Sequence, residues 1–202
     1  MENNGAAIHE VSEAWLKDIK ALEAAQGWEE HTDDPCKVWK LDWQDRQVTK
    51  AETVYKVPFD KVVEYMNDPL LMKRMSSQVE KAEILQNNGD ERVVFIRMEG
   101  GGPVSSREVV AVNTFRRESD KKVYIGSKSI DFPCKHADPD AVRAHLHVGG
   151  FTLEPVAEGT RIVSFNDIDM KGMIPDFIKN SMAKKRAGNI VELEEKIKKN
   201  QK

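Results

Sequence analysis

Chemistry in this chain would have to come from a few histidines, serines, acids and thiols. His145 and His147 stand two apart, which in a strand puts both imidazoles on one side, yet no cysteine or clear carboxylate ligand nearby completes a zinc site with them or with His136. Ser105 and Ser106 precede Arg107 and Glu108 without a nucleophile elbow or a triad order, so local hydrogen bonding is their expected role. The glycines at 100–102 would let a backbone approach a phosphate, but no Gly-Lys-Ser or Gly-Lys-Thr completes a P-loop and no dinucleotide fingerprint is present. They read as a turn between strands. Asp167 and Asp169 share a strand face and could serve acid/base work or a cation only if further ligands joined them, so hydrogen bonding is the stronger reading. Cys36 and Cys134 form neither a CxxC pair nor a dense disulfide framework and read as structural thiols. No metal, cofactor or catalytic constellation is implied.

Apolar periodicity supplies the elements that position these residues. Ile8, Val11, Trp15, Ile19 and Leu22 recur at helical spacing and predict an amphipathic helix over 8–25, ending near Gly27. Its net acidic character favours packing on the body of the domain over lying on a membrane. After a turn-rich 31–35, strands are expected over 36–43 and 48–57, separated by a turn. A short helix opens at Pro58 through Phe59, Val62, Val63 and Met66 and stops near Asn67, Asp68 and Pro69, with polar structure following. Ile84 and Leu85 before, and 93–98 after, an Asn88-Gly89 turn predict a hairpin. Further antiparallel strands are expected over 109–115, 122–130, 144–153 and 161–168. Ile174, Phe177, Ile178 and Met182, continued by Ile190, Leu193 and Ile197, predict a long C-terminal helix, bent near Gly188. The order gives an α+β domain whose antiparallel sheet is covered on one face by that helix.

At 202 residues and 22.9 kDa, one domain is expected, over 8–199, with flexible termini at 1–7 and 200–202. A net charge of −3 argues against nucleic acid as a partner. Charge is nonetheless uneven: residues 1–34 carry nine acidic and two basic side chains, and residues 184–202 carry seven basic and three acidic ones. Either the second end meets an anionic surface, with Lys196, Lys198 and Lys199 as its membrane-approach residues, or it is a solvated helix end. No run reaches the ~20 apolar residues that cross a bilayer, and residues 1–5 lack a secretory signal's basic start and apolar run. A cytoplasmic protein is the expectation. A sheet under a long apolar-faced helix can enclose a concave site for an apolar ligand, or fill that space with side chains. Periodicity does not decide between the two.

Several ordered segments resemble the START family, the steroidogenic-acute-regulatory-protein-related lipid-transfer domains. They are Glu52, Thr53, Val54 and Tyr55 followed by Pro58 and Phe59; Pro103, Val104, Ser105, Ser106, Arg107, Glu108, Val109 and Val110; Val142, Arg143 and Ala144; Gly149, Gly150 and Phe151; and Asp169, Met170, Lys171, Gly172, Met173, Ile174 and Pro175 leading into the terminal helix. The resemblance covers roughly residues 10–198. It implies a helix-grip fold, in which a curved antiparallel sheet wraps around the long C-terminal helix and leaves an internal lipid tunnel. It also implies noncovalent binding of one lipid or sterol molecule, with transfer between membranes a common activity, transient membrane contact and no covalent catalysis. A phospholipid is the expected cargo.

On that resemblance Met173, Ile174, Phe177, Ile178 and Met182 are lipid-binding or lid residues, or else simply seal the core. Arg107 and Arg143 anchor carboxylates or loop carbonyls, or meet a charged lipid head; Arg97 is a headgroup candidate or faces solvent. Departures from the family pattern are the 73–77 stretch where relatives carry a Trp-Asp pair, Glu108 in place of aspartate, and the 100–102 glycines, which argue against a choline-specific aromatic site. The alternative function is a sensor or protein-interaction module on the same fold, its protein partner unidentified.

Overall fold

The computed structural model describes residues 4–33, 36–101, 104–135, 137–172, 174 and 176–200, with side chains except at 32–33 and 176–184. Helix α1 (Asn4–Ala24) begins four residues ahead of the expected start. It is followed by β1 (Glu29–Asp33), β2 (Cys36–Trp43), β3 (Arg46–Tyr55), α2 (Phe59–Met66), α3 (Leu71–Met75), β4 (Val79–Asn88), β5 (Glu91–Met98) and β6 (Arg107–Ser119). Then come β7 (Lys122–Ser129), β8 (Val142–Arg143), β9 (His145–Val156), β10 (Gly159–Asp169) and α4 (Asp176–Lys199), which runs through Gly188 as one helix.

Three elements differ from the sequence reading, each for a local reason. The stretch 31–35 was expected to turn, yet 29–33 forms β1, pairing with β2 from Glu29↔Lys40 to Asp33↔Cys36. This polar strand is held by backbone pairing at the sheet edge, which leaves no hydrophobic alternation to read. Helix α3 falls within the segment expected only to be polar, and anchors itself by burying Leu71 and Met75, one helical turn apart. Strand β8 pairs parallel with β6, Arg107↔Val142 and Glu108↔Arg143, where only antiparallel strands were expected.

Turns set the neighbouring registers. Gln44 and Asp45 both hold positive φ, 50° and 60°, as a two-residue type I′ turn requires, and join β2 to β3. In the β4–β5 hairpin the central residues are Gly89 and Asp90, one position later than expected, and Gly89 takes the positive φ of 76°.

The strand order is β1-β2-β3-β10-β9-β7-β6-β5-β4, all neighbours antiparallel and the two edges unjoined, so the curved sheet stays open around α4. Its outer face is covered by α1. Trp15, Ile19 and Leu22 pack on Tyr124, Val148, Val163 and Phe165, while Ile8 packs on Val93, Phe95, Val110 and Val112. Gly126 and Gly150 make room for Trp15: a Cβ at either would stand 2.5 or 2.9 Å from its ring. The indole N–H donates to the Gly149 carbonyl at 3.1 Å.

The inner face receives the C-terminal half of α4, whose Ala187, Ile190, Leu193 and Ile197 join Tyr55, Val62, Met66, Leu153 and Ile162 in a second core. Polar fasteners hold this half in place. The Tyr55 hydroxyl donates to the Ile190 carbonyl, the Lys56 backbone N–H donates to Glu194 Oε1 at 2.8 Å, and Lys196 Nζ donates to the Arg74 and Met75 carbonyls at 2.9 and 3.3 Å. Burial pushes the Tyr55 hydroxyl well above the usual tyrosine range, so it stays a donor.

Candidate functional site

Strand alternation divides each inner-facing residue from its outward neighbours, and cross-strand register then lines the inner ones up. Thr49 on β3 stands opposite Asn166 on β10, Asn166 opposite Gly149 on β9, Gly149 opposite Ser127 on β7, and Ser127 opposite Asn113 on β6. All five lie on the inner face, since Val48, Phe165, Val148 and Val112 beside them belong to the outer cores. The row continues to Arg92 on β5 and Lys40 on β2. Asn113 Nδ2 donates to the Gly126 carbonyl at 3.4 Å and to Ser127 Oγ at 3.3 Å, and Thr49 Oγ1 donates to the Asn166 carbonyl at 3.3 Å.

This polar row separates two apolar stretches of the same wall. On one side lies the core filled by α4. On the other lie Val94, Val109, Ala111 and Ala144, with Ile96, Met98, Leu146, Ile168 and Met170 only partly buried around them. Polar side chains on an enclosed wall cost free energy unless they find partners, so a row of them between apolar stretches suits a ligand with one polar section and long apolar ones.

Arg186 projects from α4 over this row. Its Nη2 donates to the carbonyl of Phe165, next to Asn166, at 3.5 Å. Burial pushes its guanidinium down to about 10. The sequence reading missed it, although 186, 190, 193 and 197 share one helical face: a lone arginine on an otherwise apolar stripe was the available signal.

The three arginines singled out from sequence have internal partners. Arg97 donates to Glu108 Oε1 through Nε and Nη2 at 2.9 and 2.7 Å, and Arg143 Nη2 reaches Glu108 Oε2 at 3.4 Å. Glu108 is almost fully buried and also accepts the Asp138 backbone N–H at 3.0 Å. Arg107 donates to the carbonyls of Ser105, Met170 and Lys171 at 2.5, 3.2 and 3.1 Å, tying the start of β6 to the segment that leads into α4. Ile174 is buried at that end. Met173 and the side chains of Phe177, Ile178 and Met182 lie outside the described residues. At the basic end Lys196 caps α3, Lys198 pairs with Glu194 and Glu195 at 2.9 Å each, and Lys199 is exposed.

The other candidates are dispersed. His145 and His147 meet edge to face with ring centroids 4.6 Å apart, and burial pulls both below the ordinary histidine range. His136 lies outside the described residues. Asp167 is taken by Arg46 Nε at 2.7 Å and Asp169 by Lys171 Nζ at 2.6 Å, so the two carboxylates serve different cations. Ser106 Oγ accepts the Gly100 N–H at 3.3 Å. Among the described residues three ligand-type side chains converge at His9, Glu13 and Glu91 on the outer surface, where Arg116 Nη2 already donates to both carboxylates at 2.8 and 2.6 Å.

The sequence matches the START domain over residues 10–201, almost the whole chain. The chain belongs to the START family. Among solved structures, human StAR-related lipid transfer protein 5 is similar with a TM-score of 0.85 at 18% identity, covering 98% of this chain and 99% of that one. A fragment of a STAR-related lipid transfer protein from Xanthomonas axonopodis gives a TM-score of 0.69 at 20% identity, covering 86% and 99%. At such identities the likeness is one of fold. No curated protein matches significantly. START membership makes this a lipid-binding domain of a family that binds and transfers lipids rather than turning them over. Among the described residues no helix is long and apolar enough to cross a membrane.

Proposed function

We propose that this START domain, over residues 8–199, takes one phospholipid into the space between α4 and the inner sheet face and carries it between membranes from the cytoplasm. The observation that carries the reading is the polar row set between two apolar stretches. Each methylene moved from water onto the apolar walls is worth about 0.8 kcal/mol, while the polar row offers hydrogen bonds to the head. Met173, Ile174, Phe177, Ile178 and Met182 close the space as the lid, at the end of α4 away from its fasteners. Arg97, Arg107 and Arg143 act as internal ties that hold the wall and the lid's base. Lys199, with Lys196 and Lys198, meets anionic membrane transiently. Because Lys196 also caps α3, its neutralisation acts on α3 as well as on membrane contact.

Native mass spectrometry after gentle purification is the test, and the expected result is a one-to-one phospholipid adduct. Labelled lipid should exchange between donor and acceptor vesicles faster in its presence, and Phe177→Glu should reduce loading. An empty protein that takes nothing from mixed vesicles would overturn the reading, and stable loading without exchange would move it to a lipid sensor.

A further inference from the structure

Among the described residues Arg186 is a charge with little to explain it. A guanidinium carries five N–H donors and stays protonated, and here one of them has a single long hydrogen bond, 3.5 Å to the Phe165 carbonyl. Among the described residues no carboxylate pairs with it. Every other arginine that the inner wall or its rim uses is spoken for: Arg97 and Arg143 by Glu108, Arg107 by three carbonyls, and Arg92 Nη1 by Asn67 Oδ1 at 3.3 Å. Arg186 sits one turn before Ile190 on the stripe that packs into the inner core, and burial lowers its proton affinity. Even so, the side chain keeps intermediate exposure. Part of the residue is thus open to a solute while the rest is desolvated by its surroundings. The polar row lies below it, and from Lys40 to Arg92 that row contains no carboxylate.

We propose that Arg186 is the headgroup anchor of the bound lipid, pairing its guanidinium with a phosphate or carboxylate oxyanion held over the row formed by Thr49, Asn166, Ser127 and Asn113. The assignment rests on the lipid-binding reading above and narrows it to lipids with an oxyanion in the head. A planar fork of donors suits two oxygens of one acid group. The oxyanion supplies the counter-charge that the fold leaves out, so the empty protein carries a destabilising charge that loading neutralises. Neutral lipids such as diacylglycerol or cholesterol bring no such compensation.

Wild type, Arg186→Met and Arg186→Lys should be offered vesicles doped separately with phosphatidylglycerol, oleate, diacylglycerol or cholesterol, with bound lipid quantified by mass spectrometry and unfolding followed thermally. Wild type should prefer the two anionic lipids, and the phosphatidylglycerol and oleate arms tell phosphodiester from carboxylate. Arg186→Met should lose about thirtyfold in affinity for the preferred anionic lipid, far more than it loses for diacylglycerol or cholesterol, and Arg186→Lys should fall between. Lipid-free Arg186→Met should unfold at the same or a higher temperature than lipid-free wild type. Equal preference for anionic lipid in wild type and Arg186→Met overturns the anchor while leaving lipid binding intact. A lower unfolding temperature for the lipid-free methionine variant also overturns it, since the arginine would then be a structural tie. Wild type that takes up no lipid of any class overturns the anchor and the lipid-binding reading together.

Discussion

The same strands present two unlike faces. Outward, β7, β9 and β10 meet α1 through large side chains fitted to glycines, with Trp15 pressed against Gly126 and Gly150. Inward, one residue along each strand, they present Ser127, Gly149 and Asn166, and the helix above them contributes a poorly partnered arginine. Period-two alternation lets one strand serve both ends without compromise. The outer face is packed for stability, and the inner middle carries polar groups and a weakly partnered charge, the kind of concession found where a ligand completes a site.

Substitutions on the two faces should therefore separate. The largest effect is expected from Trp15→Ala, which removes a fully buried ring and its hydrogen bond to Gly149 and should cost about 3–5 kcal/mol in urea unfolding. Next comes Tyr55→Phe, which deletes the hydroxyl bond to the Ile190 carbonyl and should cost about 1 kcal/mol by the same measurement. The smallest is Ser127→Ala on the polar row. Asn113 keeps the Gly126 carbonyl as acceptor there, so stability should stay within about 0.5 kcal/mol, while the yield of lipid adduct falls. A loss at Ser127 comparable to that at Trp15 would mean that the two faces are packed alike and would break the distinction.

Local periodicity makes much of the fold legible in the sequence. The helix from Ile8 to Leu22, the strands and short helix on either side of Pro58 and the terminal stripe each follow from residues within one element. The polar row is not legible in that way, because Thr49, Asn113, Ser127, Gly149 and Asn166 become neighbours only through four cross-strand registers, one of them in a β9–β10 pair that shifts at Asp167/Ile168. Arg97 reads as an apolar strand's interruption because Glu108, its partner on the neighbouring strand, stands eleven residues away. Arg186 is readable in principle. A charge in an apolar stripe signals either a snorkelling side chain or a buried site, and burial decides between these only in three dimensions.

The fasteners of α4 give the molecule a mechanical character. Tyr55, Lys56 and Lys196 grip the helix from Ile190 onward, so the element behaves as a beam clamped at one end, with Asp176 roughly 21 Å from the clamp at 1.5 Å per residue. A bend of about 10° where the grip begins would carry the far end about 4 Å, nearly the width of an acyl chain. Loosening the grip at Tyr55 should therefore change how fast cargo leaves as well as how firmly the helix is seated.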